Sequence, residues 1–401
     1  MQVLVINSGS SSIKFQLIQM PLEKVICKGL VDRIGQKNAK IQCEFDKHTY
    51  EEKMLLNTHE EGLAAITAFL LKPDTNIITQ TDEISVVAHR VVHGGSQFGA
   101  PTIINQKVLT TIEDLSSLAP LHNPANATGI KVASKIFKNA TQIAVFDTAF
   151  HNTLPAQEYR YAIPKTLSEK HQLRAYGFHG TSHKYVSQKA ITYLKKPKSK
   201  IISVHLGNGC SITAIKDGKS IAHSLGFGPS NGLIMGTRSG DIDQSVIFHL
   251  INNLGFSAKK VNQMLQKESG LLGLTGFSDV RDILKASLHG NDDCSLALHM
   301  MAYRIKKYIG AYIAVLNGLD ALIFTAGIGE NSKEVRVMVC EAMEVFGIEI
   351  DTSKNNTRSQ EILEIQKDHC TAKVLVIPTN EELEIALQSY NIMQKRQYNC
   401  K

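Results

Sequence analysis

Three short glycine- and serine-rich turns are the residues best able to hold an anion. Asn7-Ser8-Gly9-Ser10-Ser11-Ser12 follows the apolar run Val3-Leu4-Val5-Ile6, and Lys14 stands just beyond it as a point charge. Gly207-Asn208-Gly209-Cys210-Ser211 follows the run at 201–206, which ends His205-Leu206. Gly327-Ile328-Gly329-Glu330-Asn331 follows the run at 322–325 and precedes a helical stretch. Backbone N–H groups in such turns converge on an anion because no Cβ blocks the approach, and a helix N-terminus adds a favourable dipole. Neither G-x-x-x-x-G-K-[ST] nor a full G-x-G-x-x-G is present, which counts against a P-loop enzyme and a Rossmann dehydrogenase. Three separate turns suit a nucleotide held between two domains.

Two arginines and a histidine supply positive charge. Arg90 ends an apolar strand in Ala88-His89-Arg90-Val91-Val92-His93-Gly94-Gly95. Arg238 lies in the Gly-flanked loop Gly236-Thr237-Arg238-Ser239-Gly240-Asp241, and His179 lies in Tyr176-Gly177-Phe178-His179-Gly180 just before a helix. Phosphoryl transfer needs fixed donors and positive charge around the equatorial oxygens and little covalent work. The bland alternative for an Arg is a surface ion pair worth about 0–1 kcal/mol. With 15 histidines in the chain, most must be ordinary loop or core residues. Strand-end and Gly-loop placement favours ligand contact for these three.

Two acids complete the set. Asp147 ends the strand at 143–146, where a carboxylate can act as base, metal ligand or orienting group. Glu381 opens the last helix in Pro378-Thr379-Asn380-Glu381-Glu382. Thr379 and Glu382 have capping-box spacing, which explains Glu382 structurally and leaves Glu381 to reach a ligand or simply to favour the helix dipole. No His/Cys ligand spacing exists, so Mg²⁺ fits better than zinc. G-x-S-x-G and H-E-x-x-H are both absent.

These groups need a scaffold of alternating strands and helices, the pattern of an α/β architecture. Buried strands are expected at 3–6, 84–88, 143–146, 201–204, 322–325 and 374–377. Helices are expected at 60–71, 126–137, 182–194, 296–316, 332–345 and 381–393. Strand, Gly/Ser turn and strand occur at 3–17 and again at 201–215, which suggests two related domains; two ordinary hairpins would look the same. The loop-like stretch 151–164 sets a boundary near residue 150.

Composition narrows the class. The 401 residues are 43% hydrophobic and 20% charged, which excludes a disordered or collagenous chain. A net charge of +7 comes without the clustered basic stripe usual in a nucleic-acid binder, and a cleft that attracts small anions is an equally good reading of the surplus. Seven cysteines, an odd number without C-x-x-C, favour a reducing, cytoplasmic setting. The N-terminus has no basic n-region, and the apolar stretch 308–324 is broken by Asn317 and Asp320, so neither a signal peptide nor a membrane span is expected.

Taken together, the segments Val5–Lys14, His89–Gly95, Phe178–His183, His205–Gly209, 236–243, 324–331 and 378–382 resemble the acetate kinase family over essentially the whole chain. That family belongs to the acetate and sugar kinase, Hsp70 and actin superfamily. The resemblance implies two RNase H-like domains facing across a nucleotide cleft, residues 1–150 and 151–383, with the C-terminal helix (about 384–401) returning to the first. It implies a homodimer and the reaction ATP + acetate ⇌ ADP + acetyl phosphate with Mg²⁺, Mn²⁺ being the alternative ion. By motif, Arg90 holds the acetate carboxylate, and Val92, Leu121, Phe178 and Pro229 form the methyl pocket. His179 and Arg238 stabilise the transferring phosphoryl group. Asp147, at the family's acid/base position, is expected to orient Arg90 or the metal, because an ionised acetate needs no base. Asn7 and Glu381 support the metal. Lys14, His205, Leu206, Gly207, Asn208, Gly209, Asp279, Val280, Arg281, Gly327, Ile328, Gly329, Glu330 and Asn331 hold the nucleotide.

The chain departs from the family's pattern in three places. Ala222-His223-Ser224-Leu225-Gly226-Phe227-Gly228-Pro229-Ser230-Asn231-Gly232 replaces an Asp-Thr-Ser-Met-Gly-Phe-Thr-Pro-Leu-Glu-Gly-like stretch, Gln244 stands where Pro is common, and the loop at 276–279 is one residue short. The first touches the acyl pocket, so a propionate or other short-chain acyl kinase is the nearest rival. A nucleotide-switched binding protein of the same fold is the rival from another class; it would not need the Arg90/Val92 site.

Overall fold

The computed structural model describes residues 1–120 and 122–399. Chain contacts divide it into two units. One is Met1–Ala149 with the segment from Asn380 onward, and the other is Phe150–Thr379.

In the first unit, β1 (Gln2–Ser8), β2 (Ile13–Gln19), β3 (Lys24–Asp32), β4 (Lys40–Phe45) and β5 (His48–Lys53) form an antiparallel meander. Next come β6 (Ile84–Val91), the two-residue β7 (Thr102–Ile103) and β8 (Thr141–Phe146). β6 runs parallel to β1, and β8 parallel to β6, giving the order β5-β4-β3-β2-β1-β6-β8-β7. Val3, Leu4, Val5 and Ile6 are all buried, as expected of a strand covered on both faces. Leu4 and Ile6 enter the core with residues of helices His59–Leu70 and Asn123–Ile136. Val3 and Val5 point to the opposite face by the two-residue repeat, and helix Glu381–Asn399 packs on β1 and β6.

The second unit has β9 (Lys200–Leu206), β10 (Cys210–Lys216), β11 (Lys219–His223), β12 (Ala321–Thr325), β13 (Leu363–Glu364) and β14 (Lys373–Val376). Their order is β11-β10-β9-β12-β14-β13. β11-β10-β9-β12-β14 repeats β3-β2-β1-β6-β8: three antiparallel strands, then two parallel to the first. Both units are therefore RNase H-like α/β sheets, and the repeated strand–turn–strand segments open each of them. Helix Asp292–Leu316 packs on β9 and β10, and helix Gly180–Leu194 on β9 and β12.

Most expected elements are present, with longer ends. Helix Asp292–Leu316 starts four residues before the expected 296. The Asn291 side chain accepts from the Cys294 N–H (2.9 Å), and Asp292 and Asp293 meet the helix dipole. The helix expected over 332–345 is instead Lys333–Cys340. It stops where Ala342 takes left-handed backbone (φ 52°), which turns Met343 and Ile348 into the core. Within 151–164, read as loop, the chain forms short helical turns at Ala149–Thr153 and Ala156–Tyr159.

The described cysteines are unpaired, and all but the half-buried Cys370 are buried. Burial pushes the thiols of Cys27, Cys43, Cys210 and Cys340 up to about 12. Among the described residues no helix is long and apolar enough to cross a membrane.

Candidate active site

Arg90 lies one residue before the end of β6, and Asp147 directly follows β8, its parallel neighbour. Asp147 is buried and accepts from two guanidinium nitrogens of Arg90, Nε at 3.1 Å and Nη2 at 2.6 Å. This fork fixes the plane of the guanidinium. Arg90 Nη2 is also 3.9 Å from Glu381 Oε2. Burial works against the charge on Arg90, but Asp147 and Glu381 outweigh it and hold its pKa above the ordinary value. Burial pushes the Glu381 carboxyl up; Arg90 opposes this, and the charges of Asp147 and Glu382 reinforce it.

The last helix is capped differently from the expectation. Asn380 Oδ1 accepts from the Leu383 N–H at 3.0 Å. The Thr379 hydroxyl instead bonds Ser182, and Glu382 pairs with Lys14 at 2.5 Å, so there is no Thr379/Glu382 capping box. Lys14 sits opposite Asn7 in the β1–β2 register. Half-buried Val92 donates its N–H to Asn126 Oδ1, and Asn126 Nδ2 donates to the Ser8 carbonyl, tying the ends of β6 and β1 together. Leu121 lies outside the described residues.

Three carboxylates (Asp147, Glu381, Glu382) thus gather around two cations (Arg90, Lys14). This negative surplus, with Asn7 as a neutral oxygen donor, fits a hard divalent ion that keeps water and phosphate oxygens as ligands. Among the described residues no group of three or more His, Cys, Asp or Glu forms a metal cage, and such an ion needs none.

In the second unit His179 takes left-handed backbone (φ 55°) immediately before helix Gly180–Leu194. Its Nδ1 is 2.9 Å from Ser211 Oγ, and its ring stacks on His205 with centroids 4.5 Å apart. A Cβ placed on Gly209 would lie 3.4 Å from His179 Nε2 and 3.6 Å from Arg238 Nη1. The space over Gly209 is therefore flanked by an imidazole and a guanidinium. Arg238 donates to the Pro229 carbonyl (2.8 Å), and among the described residues no carboxylate pairs with it. Burial lowers its pKa, with Cys210 opposing weakly. A half-buried Arg over a backbone turn, with no carboxylate partner among the described residues, has the chemistry to receive an anion. Phe178 is buried beside His179.

A cavity of 660 Å³ opens in the same unit. Gly207, Asn208, Gly327, Ile328 and Asn331 line one part, and Asp279, Val280 and Arg281 another. Arg281 folds back on Asp279, which also caps its helix, and this pairing holds the Asp279 carboxyl down at about 2. Four nucleotide expectations shift. Leu206 is fully buried in β9. His205 stacks on His179 and meets the Ser182 hydroxyl through Nδ1, and it is not among the residues lining the cavity. Residues 326–331 are not a turn but the short helix Ala326–Asn331, in which Gly329 is buried. Glu330 accepts from the Ala326 and Thr379 N–H groups at 2.8 and 3.0 Å, so it ties backbone and does not face the cavity.

The cavity also includes Ser278, Leu284, Ser332, Glu334 and Arg358, which sequence reasoning missed. Ser332 is legible as a helix N-cap, and its hydroxyl accepts from Val335. Arg358 follows Asn355-Asn356-Thr357 with no pattern to distinguish it.

Residues 2–387 match the family model described as Acetokinase family. The chain is 56% identical to an acetate kinase of Flavobacterium johnsoniae over 98% of this chain and 100% of that one. A crystal structure of Porphyromonas gingivalis acetate kinase superposes with TM-score 0.93 at 41% identity, covering 98% and 99% of the two chains. A propionate kinase from Francisella tularensis subsp. tularensis superposes with TM-score 0.91 at 40% identity, covering 96% and 98%.

Proposed function

The chain belongs to the acetokinase family, and on that premise we propose that it moves the γ-phosphoryl group of ATP reversibly to acetate, giving ADP and acetyl phosphate. The observation that carries this reading is the uncompensated Arg238 guanidinium and the His179 imidazole flanking the space over Gly209. Charge on a transferring PO₃ unit spreads over its equatorial oxygens, and donors fixed beforehand stabilise it without reorganising. Arg90, held flat by Asp147, takes the acetate carboxylate. Acetate is ionised at neutral pH and attacks without a general base, so the role left to Asp147 is to orient Arg90. The 660 Å³ cavity takes the nucleoside, with Val280, Leu284 and Ile328 as its apolar part.

Mg²⁺ is the metal this charge pattern favours, with Asn7 and Glu381 holding it directly or through water; when bound it neutralises phosphate charge. Unpaired thiols support a reducing compartment, the cytoplasm. Self-association as a homodimer is supported by helix Gln244–Asn252, which buries none of its own residues and exposes Val246 and Phe248, with Leu254 and Phe256 just beyond. Light scattering on purified protein reads this directly, and a monomer at micromolar concentration refutes it.

A hydroxamate assay with ATP, acetate and Mg²⁺ tests the reaction: acetyl hydroxamate accumulates, and its absence overturns the reading. The second reading, a propionate kinase, draws on the similarity to the Francisella enzyme and on the altered 222–232 stretch, which contains Pro229. Rates with acetate, propionate and butyrate decide, because one methylene is worth about 1–3 kcal/mol of discrimination.

A further inference from the structure

His151 and His223 lie behind His179, and no step above uses them. Both are buried, and their rings stack with centroids 3.9 Å apart and planes 30° apart. They reach opposite ends of one residue's backbone. The Phe178 N–H donates to His223 Nε2 at 3.1 Å, and the Phe178 carbonyl oxygen is 2.9 Å from His151 Nε2.

Backbone groups cannot exchange roles, so these contacts fix both tautomers. An N–H only donates, so His223 Nε2 carries no proton. Its proton is on Nδ1, which donates to Thr213 Oγ1 at 2.7 Å. A carbonyl only accepts, so His151 Nε2 carries the proton. Its Nδ1 then accepts from the Ser220 hydroxyl at 2.9 Å. The neighbouring titratable groups are His183, whose centroid lies 5.9 Å and 5.4 Å from the two rings, Glu158, which accepts from the His223 backbone N–H, and the imidazoles of His179 and His205. Burial first, and then the nearby imidazoles, push the His223 pKa well down, in keeping with a neutral ring.

The clamped residue sits between two left-handed positions, Gly177 (φ 77°) and His179 (φ 55°). A non-glycine residue in that region costs about 1–2 kcal/mol and persists only where its surroundings hold it. Gly177 packs so closely on His151 that a Cβ there would lie 2.6 Å from the ring. We propose that His151 and His223 are positioning residues for phosphoryl transfer, a pair of neutral imidazoles in opposite tautomers that grips both ends of Phe178 and so holds His179 toward the space over Gly209. The catalytic consequence rests on the role of His179 given above; the tautomers do not.

Two measurements test this. ¹⁵N-histidine NMR of the wild-type chain reads the tautomers without any assay: an Nδ1–H imidazole assigned to His223 and an Nε2–H imidazole assigned to His151 are expected at neutral pH. An Nε2–H ring or an imidazolium at His223 overturns the clamp, even if the enzyme phosphorylates acetate. Kinetics read the consequence. H223L and H151L remove the acceptor and the donor, and kcat is expected to fall about tenfold or more while KM for acetate and ATP stays within about threefold. H223Q and H151Q restore an amide oxygen or N–H at the Nε2 position, and are expected to regain most of the loss. Folded Leu variants with wild-type kcat, or Gln variants no better than Leu, refute the positioning role. If the Leu variants fail to fold, the Gln variants and the wild-type spectrum still decide.

Discussion

At the scale of single residues, the two arginines differ in how their charge is balanced, and their variants should differ accordingly. Arg90 has Asp147 and Glu381, whereas Arg238 has only carbonyl and thioether contacts among the described residues. R90A is expected to raise the acetate KM about 10- to 100-fold. It also strands buried Asp147, so the fold loses about 3 kcal/mol or more, read by denaturant titration. R238A is expected to lower kcat about 100- to 1,000-fold with little change in either KM. Equal effects on KM and kcat in the two variants would contradict the division of labour. Gly209 provides a finer probe. A methyl group there meets only ordinary contacts at 3.4–3.6 Å, so G209A should fold normally. It fills the space between imidazole and guanidinium, however, and kcat should fall at least tenfold without a change in melting temperature.

At the scale of elements, caps and register decide where functional side chains land. N291A should cost about 1 kcal/mol, visible as a shifted urea midpoint with unchanged slope, because the Cys294 N–H loses its acceptor. Element type was legible wherever burial is two-sided. The run at 3–6 announced β1, and the repeat at 201–215 suggested a related second domain but could not be told from an ordinary hairpin; the shared strand order is visible only in the pairing. Ends were less legible, since Gln2 and Ser8 belong to β1 through pairing with Gln19 and Ile13, which hydrophobicity does not mark. The last helix shows the same limit: Thr379 and Asn380 both have capping chemistry, and the choice falls to Asn380 because Ser182, 197 residues away, engages Thr379. Arg90, His179 and Arg238 could be read from strand ends and glycine neighbours. Arg358 could not, because only folding brings it beside residues 207, 278–284 and 327–334.

At the scale of the whole molecule, buried imidazoles tie stability to pH. Burial lowers the pKa of His89 and His93 to about 4 and pushes His183 and His223 well below their ordinary value. In the unfolded chain each returns to about 6.5. Between about pH 6.5 and 4 the unfolded state binds protons that the native state refuses, so stability falls as pH falls, by about 1.4 kcal/mol per unit for each such histidine. Above about 6.5 both states are neutral at these sites and the slope vanishes. Melting temperatures from pH 8 to 5 should therefore be level and then drop; an unbroken line through 6.5 would contradict this. The shielded thiols lead elsewhere. With Cys27, Cys43, Cys210, Cys294 and Cys340 buried, an alkylating tag cannot reach these five thiols while the native fold is closed. Each mass increment of iodoacetamide at those positions then timestamps an opening event, and tryptic mapping would show which sheet breathes first, without any engineered label.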